Sequence, residues 1–189
     1  ALAPRSDFPA LDEHTYLNTA SIALMPVAAR TSMQDYERQI LHAGTVNMDE
    51  EADRIALEGV REAAARLIHT SPDNVAITSS ATEALCQIAW ALRPKKNVVS
   101  IDLEFPSVVY PWLRVARETG LEVRLVRALA DPASLSFGDV AQLVDSDTDV
   151  ICLSHVQYAT GHCFDLAALA DLAHDHGALL VVDASQSVG

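Results

Sequence analysis

The sequence predicts an α/β fold: a mainly parallel sheet with helices on both faces. Short runs such as Val150-Ile151-Cys152-Leu153-Ser154 and Ala178-Leu179-Leu180-Val181-Val182 are apolar throughout, without polar alternation, as strands covered on both faces must be. Stretches with apolar residues at helical spacing separate these runs, which implies crossover connections between parallel strands. Polar residues gather directly after the runs, where open α/β sheets place their ligand sites. Half of the 189 residues are apolar, with only seven glycines and eight prolines, a globular balance.

Taken in order, an irregular lead reaches Pro26, which suits the first position of a helix running toward His42. A second helix spans about 49–69 and a strand 75–78. A helix then covers 81–92, a strand 97–101, a helix 107–119, a strand 121–126 and a helix 137–144, with 128–136 as a surface loop. A strand at 150–154, a helix at 165–176 closed by Gly177, and a strand at 178–182 complete the alternation. In domain terms, residues 1–25 form an amino-terminal segment and residues 26–189 one incomplete large domain.

Composition narrows the function classes. A formal net charge of -13 argues against a nucleic-acid backbone as partner, because that role needs clustered Lys and Arg. No apolar run approaches the roughly 18 residues of a membrane span, and no basic, apolar leader opens the chain, so a soluble cytoplasmic protein is expected. The three cysteines, Cys86, Cys152 and Cys163, show no Cys-x-x-Cys spacing and are read as buried, reduced thiols. His174 and His176 lie at i and i+2, off a common helix face and just before Gly177; they read as helix-end residues, and no metal site is assigned.

Three strand ends carry chemistry. Thr78-Ser79-Ser80-Ala81-Thr82-Glu83 turns a strand into a helix amino terminus, where unpaired N–H groups and the helix dipole attract a phosphate; an ordinary Ser/Thr cap is the simpler reading. It is not a Walker loop, lacking that loop's glycines and lysine. Ser154-His155-Val156-Gln157-Tyr158-Ala159-Thr160-Gly161 offers His, Gln, Tyr and Thr to a ligand's oxygens, or is simply a polar loop. Asp183-Ala184-Ser185-Gln186 places a carboxylate at a strand end, where it can hold a proton on a heteroaromatic nitrogen.

Together these segments resemble the class V aminotransferase group of fold type I pyridoxal-phosphate enzymes, which includes cysteine desulfurases, selenocysteine lyases, kynureninases and isopenicillin-N epimerase-like proteins. Tyr16-Leu17-Asn18-Thr19-Ala20 through Pro26 is similar to the family's amino-terminal signature, Thr78 to Glu83 to its phosphate loop, and Glu104-Phe105-Pro106-Ser107 through Pro111-Trp112 to its ring-stacking segment. His155 to Gly161 and Val182 to Gln186 resemble the segments that hold the ring. The resemblance implies pyridoxal 5'-phosphate as cofactor, with the Ala81 N–H and Thr82 on its phosphate, Phe105 over its ring, Asp183 on its pyridine nitrogen and Gln186 near its ring hydroxyl. It implies His155 as a supporting catalytic residue, and Asn18, Ala20 and Ser21 bordering the substrate entrance. Phe105 and Tyr158 lean toward kynureninases, whereas Asp-x-x-Gln at 183–186 leans toward desulfurases and epimerase-like members.

The resemblance further implies an amino-acid substrate, lyase or transferase chemistry, and a homodimer or a complementing carboxyl-terminal chain. The family's cofactor-bonded lysine lies beyond the Asp-x-x-Gln strand. Lys95 and Lys96, the only lysines, precede a strand and so belong at the opposite edge of the sheet. The small carboxyl-terminal domain is also expected to lie outside this sequence. Cys163 sits in a turn with no evident partner to lower its pKa and is not assigned as a nucleophile. The chain therefore reads as the amino-terminal part of a pyridoxal-phosphate enzyme, inactive alone; a natural half of a two-chain enzyme and a non-catalytic module on the same scaffold are the alternatives. A nicotinamide-binding domain is disfavoured, since no Gly-x-Gly-x-x-Gly follows a strand.

Overall fold

The computed structural model describes residues 3–46, 49–94 and 96–188. They fall into two compact units, 1–77 and 78–189.

The first unit is helical. A short helix α1 (Ala10–Glu13) precedes α2 (Val27–Ala43) and α3 (Glu50–Leu67). Pro26 caps α2 from outside, in extended conformation, rather than occupying the first helical position. The Arg61 guanidinium of α3 donates to the carbonyls of Pro72 (2.7 Å) and Val75 (3.1 Å), tying the helix to the segment that follows it. The strand expected at 75–78 is absent. Val75 keeps extended dihedrals (φ −111°, ψ 119°), but 75–78 pair with no strand among the described residues. A strand is defined by its hydrogen-bonded neighbour, which apolar composition alone does not supply.

The second unit holds α4 (Ala81–Leu92), β1 (Asn97–Ile101), α5 (Pro106–Thr119), β2 (Glu122–Val126), α6 (Phe137–Ala141), β3 (Thr148–Ser154), α7 (Leu166–Asp175) and β4 (Leu179–Asp183). The four strands form one sheet in the order β2-β1-β3-β4, every pair parallel. Successive side chains point to opposite faces. Val98, Val150 and Cys152 therefore pack with Leu85 and Ala89 of α4 and with Val108, Trp112 and Val115 of α5. Val99, Ile101, Ile151 and Leu153 pack on the other face with Val140 of α6 and with Leu169 and Ala173 of α7. Each fully buried Val, Leu or Ile contributes about 1.5–3 kcal/mol. The central β1 and β3, buried along almost their whole length, are thus the backbone of the unit, while β2 and β4 are half-exposed edges.

Most boundaries follow local chemistry. Ser80 caps α4, and the Asp165 carboxylate caps α7 by accepting from the N–H groups of Ala167 and Ala168. The helix expected at 137–144 stops at Ala141, its start fixed by a capping box between Ser136 and Asp139. No helix among the described residues is long and apolar enough to cross a membrane.

Candidate active site

Because all four strands run the same way, the carboxyl ends of β1, β3 and β4 share one edge of the sheet, and most of the expected site residues sit there. At one end of this edge, the Ser80 hydroxyl accepts the Glu83 N–H (3.2 Å). The Glu83 carboxylate in turn accepts the Ser79 hydroxyl (2.6 Å) and N–H (2.8 Å), bonds that hold it below the usual carboxylate range. The N–H groups of Ala81 and Thr82, in the first turn of α4, have no acceptor within the helix. The Thr82 hydroxyl lies 2.8 Å from that of Ser107, in the first turn of α5.

Phe105 follows β1 and caps α5. Its ring meets that of Tyr158 edge to face, with centroids 5.5 Å apart and an interplanar angle of 88°. Both residues are 49 % exposed, so the sheet edge offers aromatic rings to an aromatic ligand.

Asp183 ends β4 opposite Ser154 of β3, and its carbonyl accepts the His155 N–H (2.9 Å). One carboxylate oxygen takes the N–H (2.9 Å) and hydroxyl (2.6 Å) of Ser185, fixing the orientation of the group. Gln186 is exposed in the following turn.

Glu104 belongs to this edge too, and sequence reasoning gave it no role. Only 6 % exposed, its carboxylate accepts the N–H (2.8 Å) and hydroxyl (2.5 Å) of Ser154 and the side-chain amide of Gln157 (2.5 Å). Burial pushes the Glu104 carboxyl above its ordinary value; the three donors work against that shift, and the nearby Asp183 charge adds to it. No local signal marks such a residue, since its partners are 50 and 53 positions away.

Three expectations for the loop after β3 are corrected. Gln157, offered to a ligand by the sequence reading, is 1 % exposed and turned inward to Glu104, because a buried amide must find a partner. The Thr160 hydroxyl accepts the His162 N–H at 3.2 Å and so closes its own turn, which Gly161 continues with φ +73°. Cys163, expected to lack a partner, has the His155 Nε2 3.4 Å from its sulfur, a contact across the loop.

Asn18, Ala20 and Ser21 lie in the first unit, in an exposed turn. The Asn18 carbonyl accepts the Ser21 N–H (3.1 Å), and the Tyr16 hydroxyl donates to the Ile22 carbonyl (2.6 Å). Lys96 precedes β1, at the opposite edge of the sheet, paired with Asp147 at 2.6 Å; Lys95 lies outside the described residues.

Comparison with known proteins places this edge in context. The aminotransferase class-V family model matches residues 15–189, and the chain belongs to that family. It is 34% identical over 194 residues to a "Probable cysteine desulfurase" of Methanothermobacter thermautotrophicus, covering 98% of this chain and 47% of that protein. It is 32% identical over 187 residues to the uncharacterized aminotransferase YcbU of Bacillus subtilis, covering 98% and 48%. Among solved structures, the Escherichia coli cysteine desulfurase CsdA superposes with a TM-score of 0.76 at 28% identity, over 96% of this chain and 48% of that one. C-DES with glycine covalently linked to its PLP cofactor superposes at 0.83 and 21% identity, over 98% and 50%, a likeness of fold. The chain spans about half the length of the curated relatives it matches.

Proposed function

We propose that this chain is the cofactor-binding part of a pyridoxal 5'-phosphate enzyme that acts on an amino acid as a lyase or transferase, with cysteine as the first substrate to test. The observation that carries the reading is the oriented Asp183 carboxylate at the end of β4, on the same sheet edge as Phe105 and as the Ser154–Tyr158 loop. The donor set suits the cofactor: helix amino-terminal N–H groups and hydroxyls for a phosphate, an aromatic face for a ring, and a carboxylate for a ring nitrogen.

When bound, the cofactor supplies an electron-poor ring that stabilises the electron pair left by bond cleavage at the substrate's carbon. The chain's own residues hold and orient it. The N–H groups of Ala81 and Thr82 and the Thr82 hydroxyl bind the phosphate. Phe105 covers one ring face and excludes water from it. Asp183 keeps the proton on the ring nitrogen, Gln186 donates to the ring hydroxyl, and His155 supports the same edge. The family resemblance assigns Asn18, Ala20 and Ser21 to the substrate.

The relatives named as cysteine desulfurases favour cysteine. A kynureninase-like substrate is the second reading, favoured by the aromatic pair Phe105 and Tyr158. Turnover is a property of the whole protein.

Titration with pyridoxal 5'-phosphate, followed by the visible circular dichroism of the bound cofactor, tests the reading. Saturable binding is expected, weakened about tenfold to a hundredfold by Asp183→Asn, the range for a hydrogen bond to a charged group. Lys96→Ala should leave the affinity unchanged. Equal affinities for wild type and Asp183→Asn would overturn the proposal.

A further inference from the structure

The strand order opens a crevice at one point of the sheet. From β1 the chain crosses to β2 on one side, while from β3 it crosses to β4 on the other. The intervening α5 and α7 pack on opposite faces. The connections therefore diverge between the carboxyl ends of β1 and β3, and such a switch point is where open α/β sheets receive ligands.

Glu104 fills that crevice. It lies three residues beyond Ile101, the last residue of β1, and its N–H bonds the Ile101 carbonyl at 3.2 Å. Across the gap its carboxylate meets both the end of β3, through Ser154, and the loop beyond, through Gln157. Ser154 is 4 % exposed and Gln157 1 %. The amide oxygen of Gln157 has no partner among the described residues, so the bond its amide nitrogen donates to Glu104 is what holds that side chain. Each member of the link is the immediate chain neighbour of an aromatic ring: Glu104 precedes Phe105 and Gln157 precedes Tyr158.

We infer that Glu104 is a positioning residue, which bridges the switch point and through Gln157 sets Phe105 against Tyr158 as one wall of the ring site. Well-packed apolar residues can match a buried ionic group in stability, so the expected contribution of Glu104 lies in orientation. The inference rests on reading this edge as a cofactor ring site, and it extends that reading to a residue that touches no ligand itself.

The test compares Glu104→Leu and Glu104→Gln in the full-length protein by two readouts. The first is amide hydrogen exchange without ligand at Gln157 and Gly161, whose N–H groups bond the carbonyls of His162 (2.9 Å) and Gln157 (2.8 Å). Glu104→Leu should speed this exchange at least tenfold while the amides of β1 and β3 stay protected. The second is cofactor titration, where Glu104→Leu should weaken binding about tenfold and alter the visible circular dichroism.

Glu104→Gln should restore both, because its amide can accept from the Ser154 N–H and Gln157 and donate to the Ser154 hydroxyl. Unchanged loop exchange in Glu104→Leu overturns the inference. So does an equal defect in Glu104→Gln, which would assign the effect to charge. If Glu104→Leu does not fold, Gln157→Met removes the loop-side donor alone and carries the same expectation for Gly161. Loop release in a protein whose wild type binds no cofactor would support the positioning role and defeat the ring-site reading.

Discussion

The Thr82 hydroxyl lies 2.8 Å from the Ser107 hydroxyl, so the amino ends of α4 and α5 meet at one point. Each helix end carries roughly half a positive charge from its aligned peptide dipoles. Two such ends with bridging hydroxyls make a stronger anion site than either alone. Thr82→Val and Ser107→Ala should each weaken pyridoxal 5'-phosphate binding about tenfold in equilibrium titration, as expected for a hydrogen bond to a charged group. The double variant should lose less than the sum, because the two hydroxyls share one network. Pyridoxal without its phosphate should bind all variants alike.

The thiols should separate by reactivity. Burial pushes the Cys152 thiol up to about 12, and the nearby Glu104 and Asp183 charges push it the same way. The burial expected of all three holds only for Cys152: Cys163, in the loop after β3, is exposed and Cys86 is half-buried. Since the thiolate is the nucleophile, iodoacetamide at pH 7.5 should label Cys163 first and Cys152 on the order of a hundredfold more slowly or less. Peptide mapping by mass spectrometry reads the order, and early labelling of Cys152 in the folded protein would contradict it.

Two carboxyl groups should shape stability against pH with opposite signs. The Arg124 guanidinium, first among several hydrogen-bond donors, holds the Asp145 carboxyl at about 2, below its ordinary 3.8. Its contribution is therefore complete above pH 3.8 and is lost as the pH falls through about 2. Glu104, raised by burial above its ordinary 4.5, behaves inversely: its contribution is complete below pH 4.5 and is lost as the pH rises through the folded-state value. Urea midpoints measured from pH 2 upward should show Asp145→Asn flattening the acid limb and Glu104→Gln flattening the decline above pH 4.5.

How far the sequence could be read is clear from particular residues. The extent of α4 was visible because a capping serine at 80 begins it and Pro94 follows its end. The 97–101 run, apolar but for Asn97 and Ser100, marked β1, and an acid directly after an apolar run marked Asp183. Segment 75–78 carried the same apolar signature but has no ladder, which composition cannot reveal. Glu104 carries no role in the sequence reading beyond its place in the ring-stacking segment, and Gln157 reads as a loop donor, because charged and amide side chains are usually solvated. Their contact spans 53 positions and leaves no periodic trace in either segment.

The order β2-β1-β3-β4 also governs where this chain can be altered. Asp183 ends one edge strand, and the connection that follows Val126 leaves the other, three strand spacings or about 14 Å away across the sheet. That connection is held at its root by the Asp102 carboxylate, which accepts the N–H groups of Ala128 (2.8 Å) and Leu129 (2.9 Å). Beyond that anchor, the stretch through Asp131 is a natural insertion point for a reporter or an epitope, where lengthening the chain leaves the proposed cofactor edge untouched.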